Sequence, residues 1–445
     1  MFSKKIVIIS IIISFQIYGQ NNIETSGSIN ATGLYSTSEN LPLWFYTNTS
    51  SAIGEKSNFS STAETQLKYN FKNSFIEVGT TLLYRDNVEN DFQRRDLYIR
   101  YQNNWLKAIL GAKRQDIEME GLSISNKNFS WSLNTRPLPG LILEANNPIK
   151  ISKTFALDWG IAHYNLNDTR YVQNTWVHYK RIGLFVNFPN ESILTLRLQH
   201  FAQWAGTSPK YGDLQDDFQA FIDVFFARES DTNQGFTNEL GNHLGSYYFE
   251  YEFSSDFGGF SFYYEHPFED GSGTAFKNFP DGIWGINFVP LNNKYIKNFV
   301  YEYIGTTNQS GAYGVSGGDN YFSHNLYRNG WSYEGNIIGF PLIQFDKTLE
   351  ITDITNPIIS NRVKAHHFGI NGSIKKIDWA FKTTIYKNFG RHSKPLIPVQ
   401  ENWSNYLSIS YTINKFGKIT LQTGLDFSNV ADTLFGTGLS YSYIF

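Results

Sequence analysis

The feature that most restricts this chain is a period of two. Apolar and polar residues alternate in segments of about ten residues along nearly its whole length, and helical periodicity is scarce. Over 75–85, Ile76, Val78, Thr80, Leu82 and Tyr84 share one face, against Glu77, Gly79, Thr81 and Arg85 on the other. Leu407, Ile409, Tyr411 and Ile413 alternate with Ser408, Ser410 and Thr412. Ile419, Leu421, Thr423, Leu425 and Phe427 alternate with Thr420, Gln422, Gly424 and Asp426. A strand turns successive side chains to opposite faces, so each segment reads as a strand with two different surroundings. A β-sandwich would alternate as well, and the pattern alone does not say which face meets which solvent.

The spacing of the breaks does. Membrane barrels join their strands by short turns at one end and long loops at the other. Reading backwards, 434–445 descends, 418–428 rises and 414–417 is a short turn. Strand 403–413 descends, and 377–388 rises from a turn at Lys375-Lys376. The stretch 306–360 is outer loop. Strand 296–305 rises from a turn near 292–293, 282–291 descends from a loop at 267–281, and 259–266 rises from the turn 254–256. Strand 245–253 descends from a loop at 205–244, and 187–190 is again a short inner turn. Continued to the N-terminus, the parity predicts an all-β chain: a transmembrane antiparallel β-barrel of about 18 strands. Both termini are then periplasmic and the long loops extracellular. The stretch 114–153 leaves room for one hairpin more or fewer.

Composition agrees. The chain holds 28 Tyr, 37 Phe, 10 Trp and 36 Gly, with 2 Met. Aromatic residues and glycine among alternating polar residues suit a barrel with lipid outside and water or polar groups inside. Lys4 and Lys5 precede the apolar run Ile6 to Phe15, too short to span a bilayer, so residues 1–19 read as a signal peptide cleaved after Gly19, leaving 20–445 as the barrel. There is no cysteine, which excludes disulfides, thiol chemistry and Cys-ligated zinc. A formal net charge of -3 gives no footprint for nucleic acid. The last strand carries Phe435, Thr437, Leu439, Tyr441, Tyr443 and Phe445 on one face, resembling the C-terminal signature read by the outer-membrane barrel assembly machinery. One helix is predicted, in the loop 205–244. There Leu214, Phe218, Phe221, Ile222 and Phe225 share a face behind Asp213, Asp216 and Asp217, as a lid on the rim.

Few residue sets suggest chemistry. Gly314-Val315-Ser316-Gly317-Gly318 fits G-x-S-x-G in letters, but a nucleophile elbow needs a strand before it and a helix after it. His178 and His200 approach each other on neighbouring strands without a third partner, and read as polar lumen residues. No catalytic residue, metal ligand or cofactor is expected. Glu250, Glu252, Glu265, Glu302 and Arg197 should face inward, because charge on the lipid face is costly. They form either an ion-paired lumen or a polar site for hydroxyl-rich ligands; a paired-carboxylate glycosidase is not singled out by any spacing. Trp204, Trp284, Tyr313, Tyr321, Tyr327 and Trp331 stand in predicted outer loops among Asn, Ser, Gly and His, where they could stack on sugar rings. Membrane-interface aromatics give the same composition.

Several stretches resemble Bacteroidetes members of the Wzi capsule-assembly family. One is the run from Leu198 to Pro209, with His200, Gln203, Trp204, Gly206, Ser208 and Pro209. Others run from Tyr264 to Gly273, from Glu302 to Thr307, and from Asp319 to Tyr327, continuing through Gly330-Trp331, Gly335 and Gly339. The resemblance implies an eighteen-stranded outer-membrane barrel acting as a surface lectin that helps attach or organise capsular polysaccharide or exopolysaccharide. The chain departs from the family in one respect. Well-known members carry a small helical bundle at the periplasmic end, whereas residues 21–40 here read as loop and strand.

The sequence therefore predicts a non-enzymatic barrel whose partners are surface polysaccharide, outer-membrane lipid and, during biogenesis, the assembly machinery. A channel or porin is the alternative, and an outer-membrane hydrolase a third. The expected ligand-binding residues are Trp204, Glu265, Glu302, Tyr313, Asn320, Tyr321, His324, Tyr327 and Trp331, with the loop aromatics as stacking platforms above a lumen mouth.

Overall fold

In a computed structural model of the chain, the described residues are 22–229, 239–313 and 317–445. The predicted signal peptide lies outside them. The alternating segments become the wall of a closed antiparallel barrel of eighteen strands. In chain order they are β1 (Ile23–Ser36), β2 (Phe59–Asn70), β3 (Ser74–Arg85), β4 (Phe92–Asn103), β5 (Leu106–Ala112) and β6 (Gly140–Ala145). Next come β7 (Phe155–Leu166), β8 (Thr175–Asn187), β9 (Ile193–Trp204), β10 (Asn242–Ser255), β11 (Gly258–Phe268) and β12 (Gly282–Pro290). The wall ends with β13 (Ile296–Gly305), β14 (Val363–Ile374), β15 (Ile377–Gly390), β16 (Pro395–Ile413), β17 (Gly417–Ser428) and β18 (Leu434–Ile444). Each strand pairs with its sequence neighbours, and β18 closes on β1 in register from Ser28↔Ile444 to Ser36↔Gly436. Closure removes the open edges that lipid could not hydrogen-bond.

The wall is inside-out relative to a soluble protein. Ile76 and Val78 of β3 are exposed on the outer face, while their neighbours Glu77 and Thr81 are buried inside. Leu97, Leu110, Ile182, Leu421 and Leu439 continue the apolar outer band. An exposed aromatic marks most turns at one end: Phe71, Trp105, Phe188, Phe257, Tyr295 and Phe416. Phe445 joins this ring, its backbone paired with Gly27 in both directions at 2.9 and 3.0 Å. A Cβ on Gly27 would lie 2.5 Å from the Phe445 ring, so the terminal aromatic covers a position that only glycine leaves open. Such a belt is the usual partner of a membrane interface.

The parity of loops holds. Both described ends of the wall, at Ile23 and Ile444, lie at the end with the short connections 71–73, 104–105, 188–192, 256–257, 291–295, 375–376 and 414–416. The longest connections, 37–58, 113–139, 205–241 and 306–362, all lie at the other end, although 86–91, 391–394 and 429–433 there are short too. The unsettled stretch 114–153 resolves into one inward loop followed by β6. The first described residues enter β1 directly, with no helical bundle at the short-turn end among the described residues.

The predicted loop helix is α2 (Phe218–Phe226), following α1 (Leu43–Tyr46) and preceding α3 (Gly271–Thr274). Asp217 caps α2, its side chain accepting from Ala220 N at 2.8 Å. It is not a lid over the mouth. Phe221 and Phe225 pack on the outside of the wall, against His163 and His178, and Phe218, at the start of the same face and stacked on Phe221, stays 77% exposed.

Candidate functional site

The lumen has two unlike halves. At the long-loop end, three connections fold inward and fill it. Trp44, Ile124, Phe129, Leu138, Tyr321, Phe322, Trp331, Tyr333, Ile338 and Phe340 from these loops form one buried cluster with Tyr164, Phe201, Tyr263 and Ile304 of the wall. This dry aromatic core corrects the expectation that the interior is polar or water-filled throughout. The loops supply the apolar surface, and burying it against inward wall residues drives them into the barrel.

Glycines in the wall let the plug approach. A Cβ on Gly424 would meet the Phe45 ring at 2.5 Å, and one on Gly369 would meet Leu122 at 2.9 Å. Buried carboxylates then satisfy the plug's backbone, as a buried chain without regular structure requires. Glu302 accepts from Ile124 N and Ser123 Oγ, both at 2.7 Å, and from Tyr263 OH at 2.8 Å. Tyr263 reaches it by lying across Gly285, the residue paired with Glu302 on β12. Glu265 accepts from Phe129 N at 2.7 Å, Ser246 Oγ at 2.6 Å and Gln199 Nε2 at 2.9 Å. Both carboxylates point inward, as alternation predicts, but they are covered by the plug instead of lining a mouth.

The loop aromatics need the larger correction. Trp331 is 0% exposed, packed beside Phe201 and Trp131, with Nε1 donating to Ser130 O at 2.5 Å. Tyr321 is buried, its hydroxyl donating to Asp281 and accepting from Asn278. Tyr327 is buried and donates to Ala205 O. None of the three offers a free ring face, because each is part of the plug's own core. Trp204 lies on the outside of the wall beneath α2, edge-on to His163. Of the remaining candidates, Tyr313 is 94% exposed, while Asn320 and His324 are half-buried. Asn320 accepts from Asn361, and His324 Nδ1 accepts from the backbone of Leu326 and Tyr327. Burial lowers the His324 pKa to about 3, keeping the ring neutral and free to accept those bonds. Gly314, Val315 and Ser316 of the G-x-S-x-G stretch lie outside the described residues.

His178 and His200 also move. Val177, Tyr179, Gln199 and Phe201 take the inward positions, so both histidines face outward, under α2. His200 Nε2 stands 3.0 Å from His243 Nδ1.

Toward the short-turn end the lumen is hydrophilic. A cavity of about 420 Å³ lies between the loop 113–139 and the wall, lined among others by Lys113, Arg114, Trp131, Arg181, Arg197 and Glu250. A neighbouring cavity of about 300 Å³ shares Lys113 to Asp116 with it. Glu144 bridges Lys107 at 2.6 Å and Arg181 at 2.7 Å, and Lys127 meets Glu250 at 2.6 Å. These cations could not be placed from alternation alone, since Lys113, Arg114 and Lys127 stand on the inward loop.

No family model and no curated protein matches the chain. Among solved structures it is similar to Wzi of Escherichia coli, an outer-membrane protein involved in group 1 capsule assembly and a carbohydrate-binding β-barrel. The TM-score is 0.62 and the identity 12%, covering 94% of this chain and 84% of that one. It is also similar to OccK3 of Pseudomonas aeruginosa, with TM-score 0.50 and 11% identity over 95% of this chain and 96% of that one. At these identities the likeness is one of fold, and it identifies the chain as an 18-stranded barrel of the outer-membrane type.

Proposed function

We propose that the protein is a non-enzymatic outer-membrane barrel that binds capsular polysaccharide or exopolysaccharide and assists its attachment or assembly at the cell surface. The observation that carries this reading is the plug. A porin needs a continuous water path, whereas here a packed aromatic core, tied down by Glu265 and Glu302, fills the long-loop half of the lumen. The likeness to Wzi and the sequence resemblance to its family lend support. With the short turns in the periplasm, the loop 306–362 that carries the exposed Tyr313 and the half-buried Asn320 and His324 belongs to the cell-surface side. The test is deletion of the gene, with cell-bound and released polysaccharide measured alongside single-channel conductance of the purified barrel. Polysaccharide released into the medium, with no conductance from the native barrel, is the expected result. Retained polysaccharide with steady ion conductance would replace this reading by a channel, for which the hydrophilic short-turn half already provides a vestibule.

A further inference from the structure

The cup beneath the plug holds more positive charge than its partners neutralise. Among the residues lining the larger cavity, cationic side chains outnumber carboxylates seven to four. Lys107 and Arg181 share Glu144, Arg181 holds Asp158 as well, Lys127 has Glu250, and Arg136 has Glu334. Lys113, Arg114 and Arg197 form no ion pair among the described residues. Arg197 lies over the Tyr248 ring, with its buried Nε unbonded. Burial, joined by Arg100 and Lys107 at Lys113 and by Arg95 at Arg114, lowers the pKa of both groups, and the nearby carboxylates, Asp116 for both and Asp96 for Arg114, offset this only in part. Unpaired charge in a half-buried site is costly unless an anion arrives to share it.

The walls narrow down the anion. Trp131, Phe201 and Tyr179 stack in one aromatic group, Phe201 on Trp131 at 5.4 Å and on Tyr179 at 4.6 Å, and with Phe201 buried, the half-buried Trp131 and Tyr179 carry its surface toward the cavity. Asn128 and Gln199, bonded to each other at the cavity edge, add amide groups beside it. A guanidinium matches a carboxylate through two parallel hydrogen bonds. An aromatic wall with amides suits a flat, hydroxylated ring better than a bare inorganic anion, following the usual design of an apolar pocket with a few directing polar groups.

We infer that this cup is a binding site for carboxylated sugars, entered from the short-turn end, with Lys113, Arg114 and Arg197 receiving the carboxylate and Trp131 flanking the ring. The inference rests on the polysaccharide-binding reading and specifies the acidic class of its ligand and a second, inward-facing place of contact. It implies that the barrel meets acidic polymer on both sides of the plug.

The test is calorimetric titration of the full-length mature barrel in detergent with galacturonate oligomers, matched neutral glucose oligomers and inorganic phosphate. The expected result is uronate binding at least tenfold tighter than the neutral series. Lys113→Gln/Arg114→Gln/Arg197→Gln should lose at least that factor, with heat-modifiability as the folding check; Arg197→Gln alone gives a milder variant that leaves every ion pair in place. Neutral oligomers binding as well as uronates, unchanged in the variants, would overturn the cup site and leave the polysaccharide reading standing. Phosphate binding as tightly as uronate would make the cup a simple anion site and overturn the sugar claim. No binding of any oligomer, together with pore conductance, would remove both readings.

Discussion

Glu302 and Glu144 both point into the barrel from wall strands, and they work in opposite surroundings. Glu302, fully buried, accepts three hydrogen bonds from neutral donors and holds loop backbone in place. Glu144 faces the cup and is met by two cations, Lys107 and Arg181. The same contrast separates the aromatics: Trp331 is enclosed in the plug, while Trp131 reaches the cavity edge. Lumen position, and not residue type, decides whether a group stabilises the plug or remains available to a ligand. The long-loop half is a protein core enclosed by a barrel, and the short-turn half is a solvated vestibule.

The largest expected effect comes from breaking the dry half. Trp331→Ala removes a buried indole from the centre of the plug and should cost about 3–5 kcal/mol of local stability, the range for truncating a core aromatic. Hydrogen exchange across 321–343 should rise sharply, and planar bilayers should show conductance steps that the native barrel lacks. A variant that exchanges and conducts like the native protein would mean that the plug is not a cooperative core.

Much of this division could be read from the sequence, and the part that could not has a physical cause. Period-two alternation and turn parity give the wall, because in-out geometry is local to each strand: Glu77, Glu250, Glu265 and Glu302 all face inward as predicted. Alternation says nothing about a loop that folds back through a barrel mouth. The stretch 321–343 carried a signal that such a fold was present. Tyr321, Phe322, Leu326, Tyr327, Trp331, Tyr333, Ile337, Ile338, Phe340, Leu342 and Ile343 are too many apolar residues for a loop that stays in water. Clustered rings suit exposed stacking platforms only while their neighbours are polar; with this much summed apolar area they are buried together instead. His178 and His200 were misplaced for another reason, since α2 covers the outer wall there and makes room for polar residues on a face otherwise given to lipid.

A smaller effect should follow from Glu302→Leu. The plug loses its acceptor for Ile124 N–H, Ser123 and Tyr263, and each buried donor left unpaired costs about 1–3 kcal/mol. Exchange at the Ile124 amide should rise, and the heat-modifiability transition should fall by several degrees. Glu302→Gln, which keeps one acceptor oxygen, should lie between this variant and the native protein. If Glu302→Leu matches the native barrel in both measurements, the plug does not depend on this anchor.

The plug's outer edge should respond to pH. Burial, with help from the nearby Asp270, raises the Asp319 pKa from its ordinary 3.8 to about 6, even though Ser310 donates to it at 2.6 Å. A carboxyl with a raised folded-state pKa is held more tightly when protonated, so its contribution favours the folded loop at low pH. That contribution is lost as pH climbs from about 4 to about 6. Amides of 308–313 and 317–320, corrected for intrinsic rates, should exchange faster at pH 7.5 than at pH 5, and Asp319→Asn should flatten the difference. An equal difference in the variant would assign the pH response to other groups.

The smallest effect on stability, and the sharpest on the comparison, belongs to Glu144→Gln in the cup. Its two ion pairs are mostly buried, with Glu144, Lys107 and Arg181 side chains 12%, 24% and 20% exposed, but the amide keeps one oxygen to accept from them, so the change should cost about 1–2 kcal/mol, less than the three unpaired donors of Glu302→Leu. Arg181 keeps Asp158 at 2.8 Å, which limits the damage to the wall. Removing the carboxylate frees Lys107 and makes the cup more cationic. Uronate affinity should therefore rise several-fold while plug exchange stays at its native level. The gain should shrink in high salt, because screening weakens charges that water can reach. If Glu144→Gln instead loosens the plug as Glu302→Leu does, the two halves form a single cooperative unit, and the division between an anchoring core and a binding vestibule is wrong.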